Sequence, residues 1–529
     1  MSAFRCQYSR QDNFFHSGDH SNGIDLIKRI MSLWRFIWRD RLNRRYLWAW
    51  GIISLGLWLL FKLLYPYPNL VLDSYYYVKA AVLDLDTNAW PIGYSKFIRV
   101  FNLFSHSDNL LVGIQYLFLQ LTCLVFFFTW LFLFRPAKLT GHLLFVLLFI
   151  NPLFLYCSNY ILSDPLFIGL SILWISQLLW VIYRPRPYMI ITHALLLAAA
   201  FTVRYNALYY PIIGTLAFIL SRQRIWLKLT GIFLPVALMA VFILYTSGKV
   251  ADITGERQFS AFGGWKMAND ALYMYAHFYM SKTAPVPEKF RTLDSMAKQY
   301  FVAYKDSGDL LKSDYTSGSF FMFAGESPLV QYMFHQVGIQ WRWPFLNTKE
   351  WLSVGPFFQA YGIYLIREHP VAFARWFIWP NFLRYINPPG EVFGSKMPFH
   401  LIEPYGGEYI RRSLGLNAIV FTPSSIALSE DILYFYPKIL AMIHLGFVIG
   451  LLGFAGCHGF RRIDKPYSNC LIMIVCLWCC DLGFSVLSAG VVLRYEIFIM
   501  VVEMVFGLYF IDYTYRNADQ RSPIIIHQH

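Results

Sequence analysis

Charge is scarce in this chain of 529 residues. Only 14% of the residues are charged and 57% are hydrophobic, against about a quarter and about half in an ordinary soluble domain. So apolar a composition excludes a disordered chain. The 8 cysteines form no framework. Cys123, Cys157, Cys457, Cys470, Cys476, Cys479 and Cys480 lie in or beside apolar runs, and Cys6 lies near the N-terminus. Cys476-x-x-Cys479 has zinc-like spacing, but it sits with Leu477, Trp478 and Cys480 inside a hydrophobic run, where small packing residues are the better reading. Internal repeats, low-complexity tracts and Asn-x-Ser/Thr sequons are also missing; the last absence fits a prokaryotic source. The first 45 residues lack an early apolar core, so no cleavable signal peptide is expected and the first apolar run is read as an anchor.

Long hydrophobic runs are what the chain does have, along with 48 Phe, 36 Tyr and 17 Trp. A spanning helix needs about 20 mainly apolar residues. Ten candidates follow: 46–64, 109–134, 139–156, 163–183, 188–203, 206–221, 229–246, 437–456, 470–493 and 495–514. Two of them, 188–203 and 206–221, are short enough to be tilted or re-entrant. The expected fold is mainly α: a polytopic membrane protein of about ten transmembrane helices with a large outer domain and an amphipathic first outer loop. The parts are a basic tail (1–45), an N-terminal membrane module (46–246) containing the loop 65–108, an outer domain (247–436), and a C-terminal membrane module with a short tail (437–529).

The net charge is +14, which in a soluble protein would suggest nucleic acid. Its distribution says otherwise. Short-loop Lys and Arg mark the cytoplasmic side, and with both termini placed there the inner segments carry the whole basic excess. The outer stretches are balanced, with 3 basic against 4 acidic residues in 65–108 and 17 against 16 in 247–436. The charge is a topology signal, and no nucleic-acid partner is expected.

Orientation selects the outer-face residues able to do chemistry. Asp73 closely follows the first span, in Val71-Leu72-Asp73-Ser74-Tyr75-Tyr76-Tyr77, and Asp164 opens the fourth, in Ser163-Asp164-Pro165. Taken alone, Asp73 reads better as a helix N-cap, and Asp164-Pro165 is likewise a good helix start. Arg204 separates the two short spans, Arg494 the last two, and either alone could be a snorkelling charge. Together the four point to one outer-face site. Lys79 and Lys96 are further cations in the first outer loop, and Tyr76, Tyr94 and Tyr205 are aromatic candidates for substrate contact. His277, His335, His369 and His400 show no ligand spacing, and Glu326, Glu368 and Glu391 read as surface charges. Segment 351–386, aromatic and basic, reads as an interfacial helical hairpin. Asp481 and Glu503 lie mid-span, where an acid is costly; with no Lys, Arg or His seen mid-span nearby, a protonated acid hydrogen-bonded between helices is expected.

The pattern of Asp73 after span one, a following aromatic helix, Pro91 to Tyr94, Asp164 opening span four, and the Arg204-Tyr205 and Arg494-Tyr495 junctions resembles the C-type fold of polyprenyl-phosphate-dependent glycosyltransferases. That group includes the protein mannosyltransferases of glycosyltransferase family 39 and the aminoarabinose transferases of lipid A. The resemblance is best over 46–220. It departs at Asp73-Ser74, where many members have Asp-Glu. It implies a membrane enzyme that transfers a sugar from a polyprenyl-phosphate donor to a lipid, glycan or protein acceptor, at the periplasmic face of a bacterial inner membrane and with inversion. Asp73 would be the catalytic base and Asp164 would orient the acceptor. Arg204, Arg494, Lys79 and Lys96 would bind the donor phosphate. A divalent metal on Asp73 and Asp164 is left open. Two other classes fit parts of the sequence. One is an O-antigen ligase or polymerase acting on a pyrophosphate-linked lipid, the other a transporter or flippase.

Overall fold

The computed structural model describes residues 32–278, 286–304, 318–337, 348–389, 399–415, 434–488 and 490–518. The tail 1–31 with Cys6, together with Pro285, Gly308, Gly390, Glu391 and the His400 side chain, lies outside the described residues. Among the described residues the elements are helices, with one isolated parallel bridge between Asn69 and Tyr160.

The helices used below are α1 (Arg41–Leu64), α2 (Leu72–Val82), α3 (Gly93–Asn102), α4 (Asp108–Phe134), α5 (Lys138–Ser158), α6 (Asp164–Tyr183), α7 (Tyr188–Val203) and α8 (Tyr210–Leu220). They continue with α9 (Ile225–Thr254), α10 (Ala261–Tyr275), α11 (Thr348–Glu368), α12 (Trp379–Ile386), α13 (Phe399–Leu414), α14 (Tyr436–Gly456), α15 (Lys465–Ser488) and α16 (Ile497–Ala518). Eight of them, α1, α4, α5, α6, α9, α14, α15 and α16, are long and apolar enough to cross a membrane. The chain is a mainly α, polytopic membrane protein. Helices α7 and α8 fall short of that length and are joined by the 3-10 turn Tyr205–Tyr209.

Local chemistry sets the helix starts. Asp40 accepts from the Leu42 N–H at 2.8 Å to open α1, and Ser107 accepts from the Leu110 N–H at 3.3 Å to open α4. Asn151 does the same for the Leu153 N–H at 3.0 Å, restarting α5 where Pro152 interrupts it. Packing then orders the bundle. Helix α4 runs against α6, α7 lies between α6 and α9, and α14 pairs with α16. Many lipid-compatible side chains remain on the outside, such as Leu55, Leu59 and Leu63 of α1 and Leu445 and Leu452 of α14.

We call outer the side that the charge bias predicts to be so. There the stretch 65–108 folds into α2 and the amphipathic α3. Beyond the spans, α10 lies along α11 at backbone contact. A Cβ on Gly264 would collide with the Gly355 carbonyl oxygen, and one on Gly362 would stand 2.5 Å from the Met267 carbonyl carbon. Segment 351–386 therefore differs from an interfacial hairpin. Its first arm, α11, buries Trp351, Phe358 and Tyr361 in the core of the outer domain, because glycines let it close on α10. Its second arm, ending in α12, exposes Val371, Trp379 and Leu383 while packing on α15.

Candidate functional site

The strand-like segment before α2 is stitched to the loop before α6. The Asn69 N–H donates to the Asn159 carbonyl at 2.8 Å, the Ile161 N–H to the Asn69 carbonyl at 3.2 Å, and Lys62 Nζ to Asn159 Oδ1 at 2.9 Å. Tyr77 and Ser163 share a hydroxyl hydrogen bond of 3.0 Å. These bonds set Asp73, in the first turn of α2, beside Asp164, in the first turn of α6. Neither acid caps its helix: the Val71 N–H is taken by Ser74 Oγ at 3.1 Å, and α6 has no side-chain cap. Both carboxylates face arginines. Arg204 Nη1 binds Asp164 Oδ1 directly, and Arg494 Nη2 lies 3.8 Å from Asp73 Oδ2.

The arginines reach this point because both helical connections break there. At Arg204 the chain leaves α7 in an extended conformation before the 3-10 turn, and Arg494 sits in the 3-10 turn Leu493–Tyr495 between α15 and α16. The Tyr495 ring serves both, with guanidinium carbons 4.7 Å (Arg204) and 5.2 Å (Arg494) from its centre.

Asp73, Arg204, Arg494 and Tyr205 line one cavity of about 1030 Å³, together with Tyr77, Trp90, Pro91, Arg257, Lys266, Asp270, Gln359, Ser485 and Glu496. A cavity of this size holds a sugar phosphate and an acceptor group. Its walls come from α2, the α7–α8 junction, α10, α11, the end of α15 and the turn before α16. Burial raises the pKa of Asp73, Arg494 opposes this, Asp164 adds to it, and Arg204 opposes it. Burial pushes Asp270 up to about 7 against the pull of Lys266, whose Nζ is 3.7 Å away and also donates to the Gly318 carbonyl.

The other sequence candidates stand apart from the lining. Asp164 contacts it through Arg204. Tyr94 is fully buried below it, donating to Gln115 Oε1 at 2.5 Å. Tyr76 stacks behind the lining residue Trp90, with ring centres 4.4 Å apart. Lys79 Nζ lies 5.7 Å from the centre of the Tyr75 ring. Lys96 faces Asp84 at 2.8 Å and Asp86 at 3.9 Å on the surface of the outer loop. Among the histidines, His277 stacks on Trp376 and His369 meets the edge of Phe278, while His335 is exposed. Glu326 and Glu368 are exposed as well.

The described residues build no protein-only metal cage around Asp73 and Asp164. Each carboxylate already faces a guanidinium, and among the described residues no three His, Cys, Asp or Glu side chains group closely enough to hold an ion.

The mid-span acids need a correction. Glu503 does have a basic partner: His444 Nδ1 of α14 is 2.8 Å from Glu503 Oε1 and 2.7 Å from Oε2. The two residues are 59 apart in the chain, beyond the reach of any local pattern. Asp481 accepts from the Tyr209 hydroxyl at 2.7 Å and from the Tyr385 hydroxyl at 3.2 Å. Sequence reading also passed over Glu496, which follows the Arg494-Tyr495 junction directly; its place beside an already suspected arginine was the available signal.

Comparison with protein-family models, with curated proteins and with solved structures finds no match.

Proposed function

We propose that the chain is a glycosyltransferase of the polyprenyl-phosphate-dependent, C-type kind, working at the periplasmic face of a bacterial inner membrane with both termini cytoplasmic. The observation that carries this reading is the meeting of Asp73 with Arg494 and Arg204 in one cavity next to the ends of the membrane helices. A lipid-linked sugar presents an anionic phosphate at headgroup level, and guanidinium groups suit phosphate oxygens by their forked geometry. Arg494 is the donor-phosphate ligand, and Arg204, held by Asp164, keeps the second positive charge in place. An acceptor hydroxyl on the outer side attacks the anomeric carbon as Asp73 takes its proton. The anomeric C–O bond to phosphate breaks, polyprenyl phosphate leaves, and direct attack inverts the anomeric centre. A buried carboxylate with a raised pKa is a stronger base than one in water. Tyr205 and Trp90 supply ring faces for the sugar and acceptor.

The test is transfer by the reconstituted protein from monophosphate-linked and pyrophosphate-linked polyprenyl sugars. Transfer from the monophosphate donors, lost by at least about 100-fold in a well-expressed Asp73→Asn variant, is expected. Use of pyrophosphate donors alone would move the protein to the ligase class. Substrate flux into liposomes without bond formation would make it a transporter.

A further inference from the structure

Glu496 is a titratable group in the cavity wall that the mechanism above does not use. It lies one residue before α16 and is 0% exposed. Neither carboxylate oxygen finds a partner at standard hydrogen-bond geometry; the Ser485 side chain, also in the wall, offers it a weak one. A buried polar group without a partner is costly, and native folds rarely leave one so.

The groups around Glu496 come from every neighbouring element. Asp481 is on α15 and Glu503 on its own helix, while Tyr209, Tyr385 and His444 surround those two acids from the 3-10 turn, α12 and α14. His444 is engaged by Glu503, and Arg494 faces Asp73. The principal electrostatic neighbours of Glu496 are therefore two acids. Burial, then Asp481 and Glu503, drive its pKa well above the ordinary glutamate range. A carboxyl kept neutral in this way has an O–H to donate, which an ionised one lacks. The cavity beside it already holds Arg494 and Arg204.

We propose that Glu496 is a protonated hydrogen-bond donor to a phosphate oxygen of the ligand that fills this cavity, completing with Arg494 and Arg204 a site of two cations and one neutral acid. The inference rests on the reading of the cavity as a lipid-phosphate site. A neutral acid recognises phosphate without the repulsion that a carboxylate would bring, and its hydrogen bond to an anion is of the strong, charge-assisted kind. It also strengthens as charge builds on the leaving phosphate.

Infrared difference spectroscopy of the protein in liposomes at pH 7 tests this, with undecaprenyl phosphate, undecaprenol and inorganic phosphate as probes. Lipid binding is measured separately on the same samples. The expected result is a protonated-carboxyl stretch that is absent from Glu496→Gln and moves on adding undecaprenyl phosphate but not undecaprenol. Movement with inorganic phosphate alone also supports the assignment and makes the site one for phosphate in general. Glu496→Gln, which keeps a donor, binds undecaprenyl phosphate within a few-fold of wild type, and Glu496→Ala binds it at least about 10-fold more weakly. If wild type fails to bind undecaprenyl phosphate, the lipid-phosphate reading falls. If wild type binds it while the stretch stays put, survives in Glu496→Gln, or moves equally with undecaprenol, the role of Glu496 alone is overturned. Equal binding by Glu496→Ala and wild type overturns it too.

Discussion

Arg494 Nη2 stands 3.8 Å from Asp73 Oδ2, at the outer limit of an ion pair, whereas Arg204 is bound directly to Asp164. The two arginines therefore differ in how tightly each holds its acid. Arg204 is in direct contact with Asp164, whereas Arg494 meets Asp73 at longer range and can turn from it toward an incoming phosphate. When it does, Asp73 loses the cation that holds its pKa down and becomes a better base.

This relation predicts a pH dependence. Asp73 must be ionised to accept a proton, so transfer falls as pH drops through its raised pKa. Burial is the main cause of that rise and Arg494 the main opposing one. Removing the cation raises the pKa further. Arg494→Gln should therefore move the acidic limb of the pH–rate profile to higher pH, besides weakening donor binding. An acidic limb at the wild-type position would exclude Asp73 as the titrating base.

The Asp164–Arg204 pair predicts a stability effect. Both side chains are largely buried, so removing one partner strands a charge. Asp164→Ala should cost about 3–5 kcal/mol in detergent-solubilised protein. The double variant Asp164→Ala with Arg204→Ala should cost less than the two single costs added. Strict additivity in thermal or denaturant unfolding would show that the contact carries no energy.

The glycines between α10 and α11 predict a packing effect. Gly264→Ala or Gly362→Ala forces the helices apart at backbone contact, for about 1–3 kcal/mol each. Because Lys266, Met267 and Asp270 on one helix and Gln359 on the other line the cavity, the same variants should raise KM. Gly248→Ala, inside α9 where the added methyl meets open space, is the control and should hold or slightly raise the melting temperature.

Orientation is open to labelling. In a cysteine-free background, Lys96→Cys should react with a membrane-impermeant maleimide in intact spheroplasts, and Arg186→Cys should react only after lysis. The reverse pattern would turn the protein over and place the cavity in the cytoplasm.

Much of this architecture was legible in the residues. All ten apolar runs fall on helices, although 470–493 leaves the helix after Ser488, and the two short ones are those below spanning length, since Arg204 interrupts what would otherwise be one long apolar segment. Asp73, Arg204 and Arg494, all legible as outer-face charges, share a cavity, because a charge bordering an apolar run has few places to go but the helix end. Which acid meets which arginine was not legible: Asp73 and Arg494 lie near opposite ends of the chain and are joined by bundle packing alone. Lys96 has a suitable charge and place in the loop, but its nearest acids, Asp84 and Asp86, lie on the same loop and hold it at the surface. Glu496 escaped because a buried, unpartnered acid looks in sequence like any other acid at a helix start.

The outer domain keeps its shape through glycine-permitted contact between α10 and α11, and its stretch 247–436 contains no cysteine. Its folding thus needs no oxidant and tolerates any reductant. The cavity wall will form equally well in an oxidising envelope, in a strictly anaerobic cell, or in a cell-free synthesis kept under thiol.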